Sequence, residues 1–219
     1  MSSIGERTAV LDRTDKICRD IASHSDILFR LTQDDPADNI CTNLRLAAAA
    51  LRTDDIPARS GSARLYIHAG AERVKAVSAE IELFRSELPD DLTELYKLKE
   101  LLTTVSGLDR DNMSILESCE MCLNTFMEED IPRTERSLVS HSLRDITLSQ
   151  TIAQKNISLT ESWIIKTDNL IAGLTSFEEH MIPLWRTQFR SLNSFTDDDM
   201  TRCFETGNLF SQKLSELIG

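Results

Sequence analysis

The chain has 219 residues, 41% of them apolar, which is enough for one sizeable domain or two small ones. A formal charge of -12 with no basic run disfavours a nucleic-acid backbone, whose binding gains mainly from Lys and Arg displacing counterions. Only 5% of residues are aromatic and there are just 7 Gly and 5 Pro, an economy of turn formers that favours long helices over many short strands.

The prolines punctuate the chain, because Pro suits the first helical turn and not the middle. Asp35-Pro36, Ile56-Pro57, Leu88-Pro89 and Ile131-Pro132 each end one apolar-periodic run and begin another. The predicted helices lie near 3-32, 37-53, 62-88, 90-105, 109-130, 133-192 and 197-218. The acids Asp90-Asp91 and Glu135 then fall where a helix dipole favours them, and Thr196 before Asp197-Asp198-Asp199 is a helix cap. There is no alternating β-branched run and no Asn-Gly or Asp-Gly turn to signal a hairpin.

Two apolar periods can be counted. Ile67, Gly70, Val74, Val77, Ile81, Phe84 and Leu88 keep a three-four spacing and form one buried seam. Farther on, Val139, Ile146, Ala153, Thr160, Thr167, Leu174 and Met181 alternate with Leu143, Gln150, Ile157, Ile164, Ile171, Glu178 and Trp185 at heptad spacing. A single helix of about 50 residues there would be about 75 Å long, giving an elongated molecule. Thr160, Thr167, Gln150 and Glu178 interrupt the seam and favour a bundle with local packing over a two-stranded coiled coil.

The expected architecture is thus all-α: one domain over 1-219, an elongated helical bundle with a coiled-coil-like long C-terminal helix. Within it, 3-53 are the N-terminal helices, 60-192 the helical core and 197-218 the C-terminal helix. No apolar stretch of about 18 residues and no charged start with an apolar core and cleavage site are present, so the expectation is a cytoplasmic protein without a transmembrane segment. Cys18, Cys41, Cys119, Cys122 and Cys203 are odd in number and scattered, which suits reduced thiols.

Three segments occur in a telling order: Tyr66-Ile67-His68-Ala69-Gly70-Ala71-Glu72-Arg73, then Leu148-Ser149-Gln150-Thr151-Ile152-Ala153-Gln154-Lys155-Asn156, then Ile182-Pro183-Leu184-Trp185-Arg186-Thr187-Gln188. Together they resemble the toxic-anion (tellurite) resistance protein family, TelA-like, over roughly residues 60-190. Arg186 stands where that family usually has Lys, and the family's Gln- and Asn-rich run is thinned to Gln150, Gln154 and Asn156. The resemblance implies a cytoplasmic, helical, non-enzymatic protein associated with stress or toxic-anion resistance, and it supplies no catalytic residue.

The chemistry-bearing residues form no recognisable site. Cys119-Glu120-Met121-Cys122 has the spacing of a soft-metal or redox pair, but it shares a helix face with Ile115, Leu116, Leu123 and Phe126, and reads as two small core residues. His24, His68, His141 and His180 are too dispersed for a helical zinc pair and read as solvent-facing or half-buried imidazoles. The acidic clusters at 34-35, 90-91, 128-130 and 197-199 read as capping and solvation. No catalytic, cofactor-binding or metal site is expected, and no enzyme.

Pro183, Trp185, Arg186 and Gln188 form the candidate partner-binding surface, because Pro183 can kink the helix and so aim Trp185 and Arg186. The competing reading places Trp185 in the bundle core with Trp163 and Phe189 as neighbours. The expected function is contact with an unknown protein partner. The alternatives are a general coiled-coil adaptor unrelated to anion stress, or a thiol- or metal-dependent detoxifier using Cys119 and Cys122.

Overall fold

The structure is a computed structural model that describes residues 3-52, 63-190 and 196-218, with the side chains of 63-67, 190 and 197 left out. Its elements are α1 (Ile4–Gln33), α2 (Pro36–Ala50), α3 (Ala63–Glu128), α4 (Arg133–Ser176), a π-helical turn (Phe177–Met181), α5 (Ile182–Arg190) and α6 (Asp197–Ile218). The protein is all-α, with no strand among the described residues.

Local chemistry explains most helix starts. Ser3 caps α1 in a capping box, its Oγ accepting from the Glu6 N–H at 3.2 Å while Glu6 Oε2 accepts from the Ser3 N–H at 2.7 Å. Pro36 opens α2, and Pro132 immediately precedes α4, its carbonyl accepting from Arg136 N–H at 2.9 Å. Thr196 caps α6 as predicted, its Oγ1 accepting from the Asp199 N–H at 3.3 Å. The predicted boundary at Ile56-Pro57 lies outside the described residues.

Pro89 departs from the pattern. The three helices expected over 62-88, 90-105 and 109-130 are a single 66-residue helix, α3, with Pro89 inside it. An interior proline costs about 3 kcal/mol through its lost hydrogen bond and ring clash. Against that, the apolar stripe keeps its register across the proline: Leu88, Leu95, Leu98 and Leu102 are all at most 5% exposed. Each such side chain contributes about 1.5–3 kcal/mol on burial, so the stripe outweighs the proline. The same stripe carries the helix through Gly107, whose cost relative to Ala is only about 1 kcal/mol. Asp90 and Asp91 therefore lie in mid-helix, and the capping role expected for them does not hold.

The helix expected over 133-192 is also modified. It is α-helical to Ser176, widens into the π turn, and resumes as α5 to Arg190, while residues 191-192 lie outside the described residues. The Ile182 N–H donates to the Phe177 carbonyl, five residues back. This wide turn comes just before Pro183, where a regular α-helix would drive the proline ring into the carbonyl four residues earlier. Thr160 and Thr167 do not break the seam, since both are at most 1% exposed. Thr160 satisfies its hydroxyl within its own helix, donating to the carbonyls of Asn156 at 3.0 Å and Ile157 at 2.9 Å.

The chain packs as two compact units that do not follow chain order: Met1–Asp35 with Lys99–Ile165, and Pro36–Leu98 with Lys166–Gly219. The N-terminal segment read as a pair, 3-53, is thus divided, α1 packing in unit 1 and α2 in unit 2. Unit 1 is built on Ile17 and Ile21 of α1, Leu116, Leu123 and Phe126 of α3, and Val139, Ile146 and Ala153 of α4.

In unit 2, Phe84, Phe177 and Phe210 pack ring to ring with centroids 4.9–5.9 Å apart. The expected seam of Gly70, Val74, Val77, Ile81, Phe84 and Leu88 is buried there, and the side chain of Ile67 lies outside the described residues. Gly70 permits a close approach of α6: a Cβ at this position would lie 2.5 Å from Met200 Sδ.

Candidate functional site

The predicted contact residues all fall in unit 2, and they do not share one open face. Trp185 is 1% exposed, its Nε1–H donating to Ser78 Oγ at 3.4 Å and its ring stacked on Phe189 with centroids 6.4 Å apart. An indole offered outward to a partner is therefore not what the structure holds, because Trp185 fills the unit's own core. Trp163 belongs to unit 1. Arg186 pairs with Glu82 at 3.1 Å, and Gln188 Oε1 accepts from Thr206 Oγ1 at 2.6 Å. Of the four, Pro183 alone is exposed.

The cysteine pair divides as well. Cys119 is buried, as expected, but Cys122 is exposed, because the buried face of α3 runs through Leu116, Cys119, Leu123 and Phe126 and position 122 lies beside that stripe. Among the described residues no group of three His, Cys, Asp or Glu side chains is placed to hold a metal ion.

Unit 1 holds a polar contact that no sequence motif announced. Asp109 of α3 is fully buried, with its Oδ1 2.6 Å from His24 Nδ1 of α1 and its Oδ2 accepting from Asn156 Nδ2 of α4 at 2.9 Å. One carboxylate thereby ties three helices, and a buried charge is tolerable only with partners of this kind. Gln150 of α4 makes a second tie, donating to Glu120 of α3 at 3.2 Å. Of the Gln and Asn residues that carried the family resemblance, Gln150 and Asn156 thus have a structural task between α3 and α4.

A groove of about 720 Å³ opens in unit 1, walled by residues 8-22 of α1 and 138-152 of α4. Leu11, Leu138, Leu148 and Ile152 give it an apolar lining. Leu138 and Leu148 are 57% and 61% exposed and stand together on this concave surface, where clustering rather than exposure alone marks an apolar patch. Asp12, Asp15 and Asp145 stand along its rim, with Asp15 bound to Arg19 at 2.7 Å.

Cys18 lies in the same groove. Burial pushes its thiol pKa up, Asp145 and Asp15 add to the rise, and a hydrogen bond with Ser149 opposes it, so the thiol is held in its protonated, poorly nucleophilic form. The sequence did carry a weak sign of the groove. Leu138, Asp145 and Ile152 repeat at heptad spacing as a second row beside the core seam, and Leu148, Ser149 and Ile152 belong to the second resembling segment.

Set against known proteins, the chain matches no family model, no curated protein and no solved structure.

Proposed function

We propose that this is a non-enzymatic helical binding protein of the cytoplasm that acts through protein contacts, and that the α1/α4 groove of unit 1 is its contact surface. The observation that carries this reading is the exposure of Leu138 and Leu148 on the wall of an apolar groove that adjoins the unit's core. Apolar side chains left open around a concave surface gain free energy when a partner covers them. The tie of Asp109 to His24 and Asn156 supports it further, by fixing the helices that form the groove.

The three segments that resemble the toxic-anion (tellurite) resistance family supply the cellular setting: a contact made in defence against a toxic oxyanion. Deleting the gene in its native host, then restoring it as wild type or as Leu138→Asp/Leu148→Asp, tests both parts. Deletion is expected to raise tellurite sensitivity, wild type to restore growth, and the groove variant to fail although it folds. Unchanged sensitivity on deletion would remove the anion-resistance setting. Full rescue by the groove variant would remove the groove.

A further inference from the structure

We infer that the groove between α1 and α4 of unit 1 receives a basic amphipathic helix of about four turns from a partner protein. The inference rests on the binding-protein reading above and names the partner's chemistry.

Length comes first. The walls, residues 8-22 and 138-152, are each about 21 Å long at about 1.5 Å per residue. A helix lying along them meets them over about four turns. Unit 1 consists of α1 with parts of α3 and α4, and a helix seated between α1 and α4 completes a four-helix arrangement. Leu11, Leu138, Leu148 and Ile152 match an apolar stripe repeating at i, i+3 or i+4, and i+7, the pattern by which helices are read in grooves.

Charge then selects the partner. Asp12 and Asp145 stand on the rim with no ion pair or hydrogen bond to another side chain among the described residues, although Asp145 lies close enough to Cys18 to act on its thiol. The one Arg in the lining, Arg19, is held by Asp15 at 2.7 Å. Lys or Arg heads flanking an apolar stripe would pair with the two open carboxylates, which steers encounter and fixes orientation. A second copy of this chain carries the same acidic rim and a formal charge of -12, so self-association would set like charges together. An anionic lipid surface is repelled for the same reason.

Two thiols in unit 1 make the test internal to the protein, because Cys18 lies in the groove and Cys122 is exposed outside it. The full chain is alkylated with a maleimide at fixed pH, and each cysteine is followed by mass spectrometry. The probe is a synthetic amphipathic peptide of Leu, Ala and Lys, about four turns long. It is compared with a scrambled peptide, with a version carrying Glu for Lys, and with anionic phospholipid vesicles. The Lys peptide should slow alkylation of Cys18 at least tenfold and leave Cys122 unchanged. Asp12→Lys/Asp145→Lys should weaken that peptide at least tenfold, while the other probes leave Cys18 unprotected.

Equal protection by the Lys and Glu peptides would overturn the basic partner and leave the groove as a helix-binding surface. Protection by the scrambled peptide or by vesicles would overturn the helical partner. If no peptide protects Cys18, this inference falls, while the groove reading is decided separately by whether Leu138→Asp/Leu148→Asp restores growth.

Discussion

At the residue scale, the decisive group is one the sequence did not mark. Asp109 looks like any acid in a helical run, and its importance comes from partners 85 and 47 residues away in the chain. No local pattern encodes such separations, so the contact becomes visible only when the helices are assembled. Removing the carboxylate leaves the buried Asn156 and the half-buried His24 without this partner. Asp109→Ala should therefore lower unfolding free energy by about 3–5 kcal/mol, read as a lower urea midpoint. An unfolding free energy within about 0.5 kcal/mol of wild type would mean that the tie carries no load.

Asp91 makes a second residue-scale prediction. Its carboxyl is pushed up to about 6 from an ordinary 3.8, first by burial and then by Glu87, Glu94 and Asp90. The folded state therefore binds this proton more tightly than the unfolded chain does. The contribution to stability is full below about pH 3.8 and is lost as pH rises through about 6. Asp91→Asn should leave stability near wild type at the acid end of that window and raise it above pH 6. The gain should be about 1 kcal/mol, since the group is half-exposed and screened. Urea midpoints of the two proteins at the ends of the window give the comparison, and a variant less stable above pH 6 would reverse the sign.

At the scale of elements, helix type was legible and helix boundaries only in part. Apolar spacing identified the buried rows of α3 and α4, and side-chain capping placed Thr196 correctly. Proline chemistry was the wrong guide at Leu88-Pro89, because a local rule worth about 3 kcal/mol competed with several buried leucines in unbroken register. The same rule succeeded at Pro36 and Pro132, where no stripe runs through. Pro89→Ala separates the two cases. A proline in mid-helix gives way to a better helix former, and thermal unfolding should report a gain of about 1–3 kcal/mol. A proline in the first turn of a new helix would give no gain, so an unchanged melting temperature would restore the boundary.

At the scale of the whole molecule, the all-α class followed from composition and periodicity alone. The partition into two units did not, because it depends on which helices meet, and α1 and α2 are neighbours in sequence that pack in different units. The Trp185 segment illustrates the limit on site prediction: tryptophan and arginine are frequent at interfaces, but the same side chains fill cores, and burial alone separates the two uses. The groove's partial legibility has the same root. Leu138 and Leu148 are apolar residues beside a seam, and only the packed unit shows that the described residues leave them more than half exposed.

The central claim is that this open row on α1 and α4 binds a helix. The most direct measurement is the affinity of the Lys-bearing amphipathic peptide for wild type and for Leu138→Asp/Leu148→Asp, by titration calorimetry, with urea unfolding of both proteins as the control. Both leucines are more than half exposed, so the variant should fold with stability within about 1 kcal/mol of wild type and bind at least tenfold more weakly. Equal affinity in a folded variant would contradict the assignment of the groove.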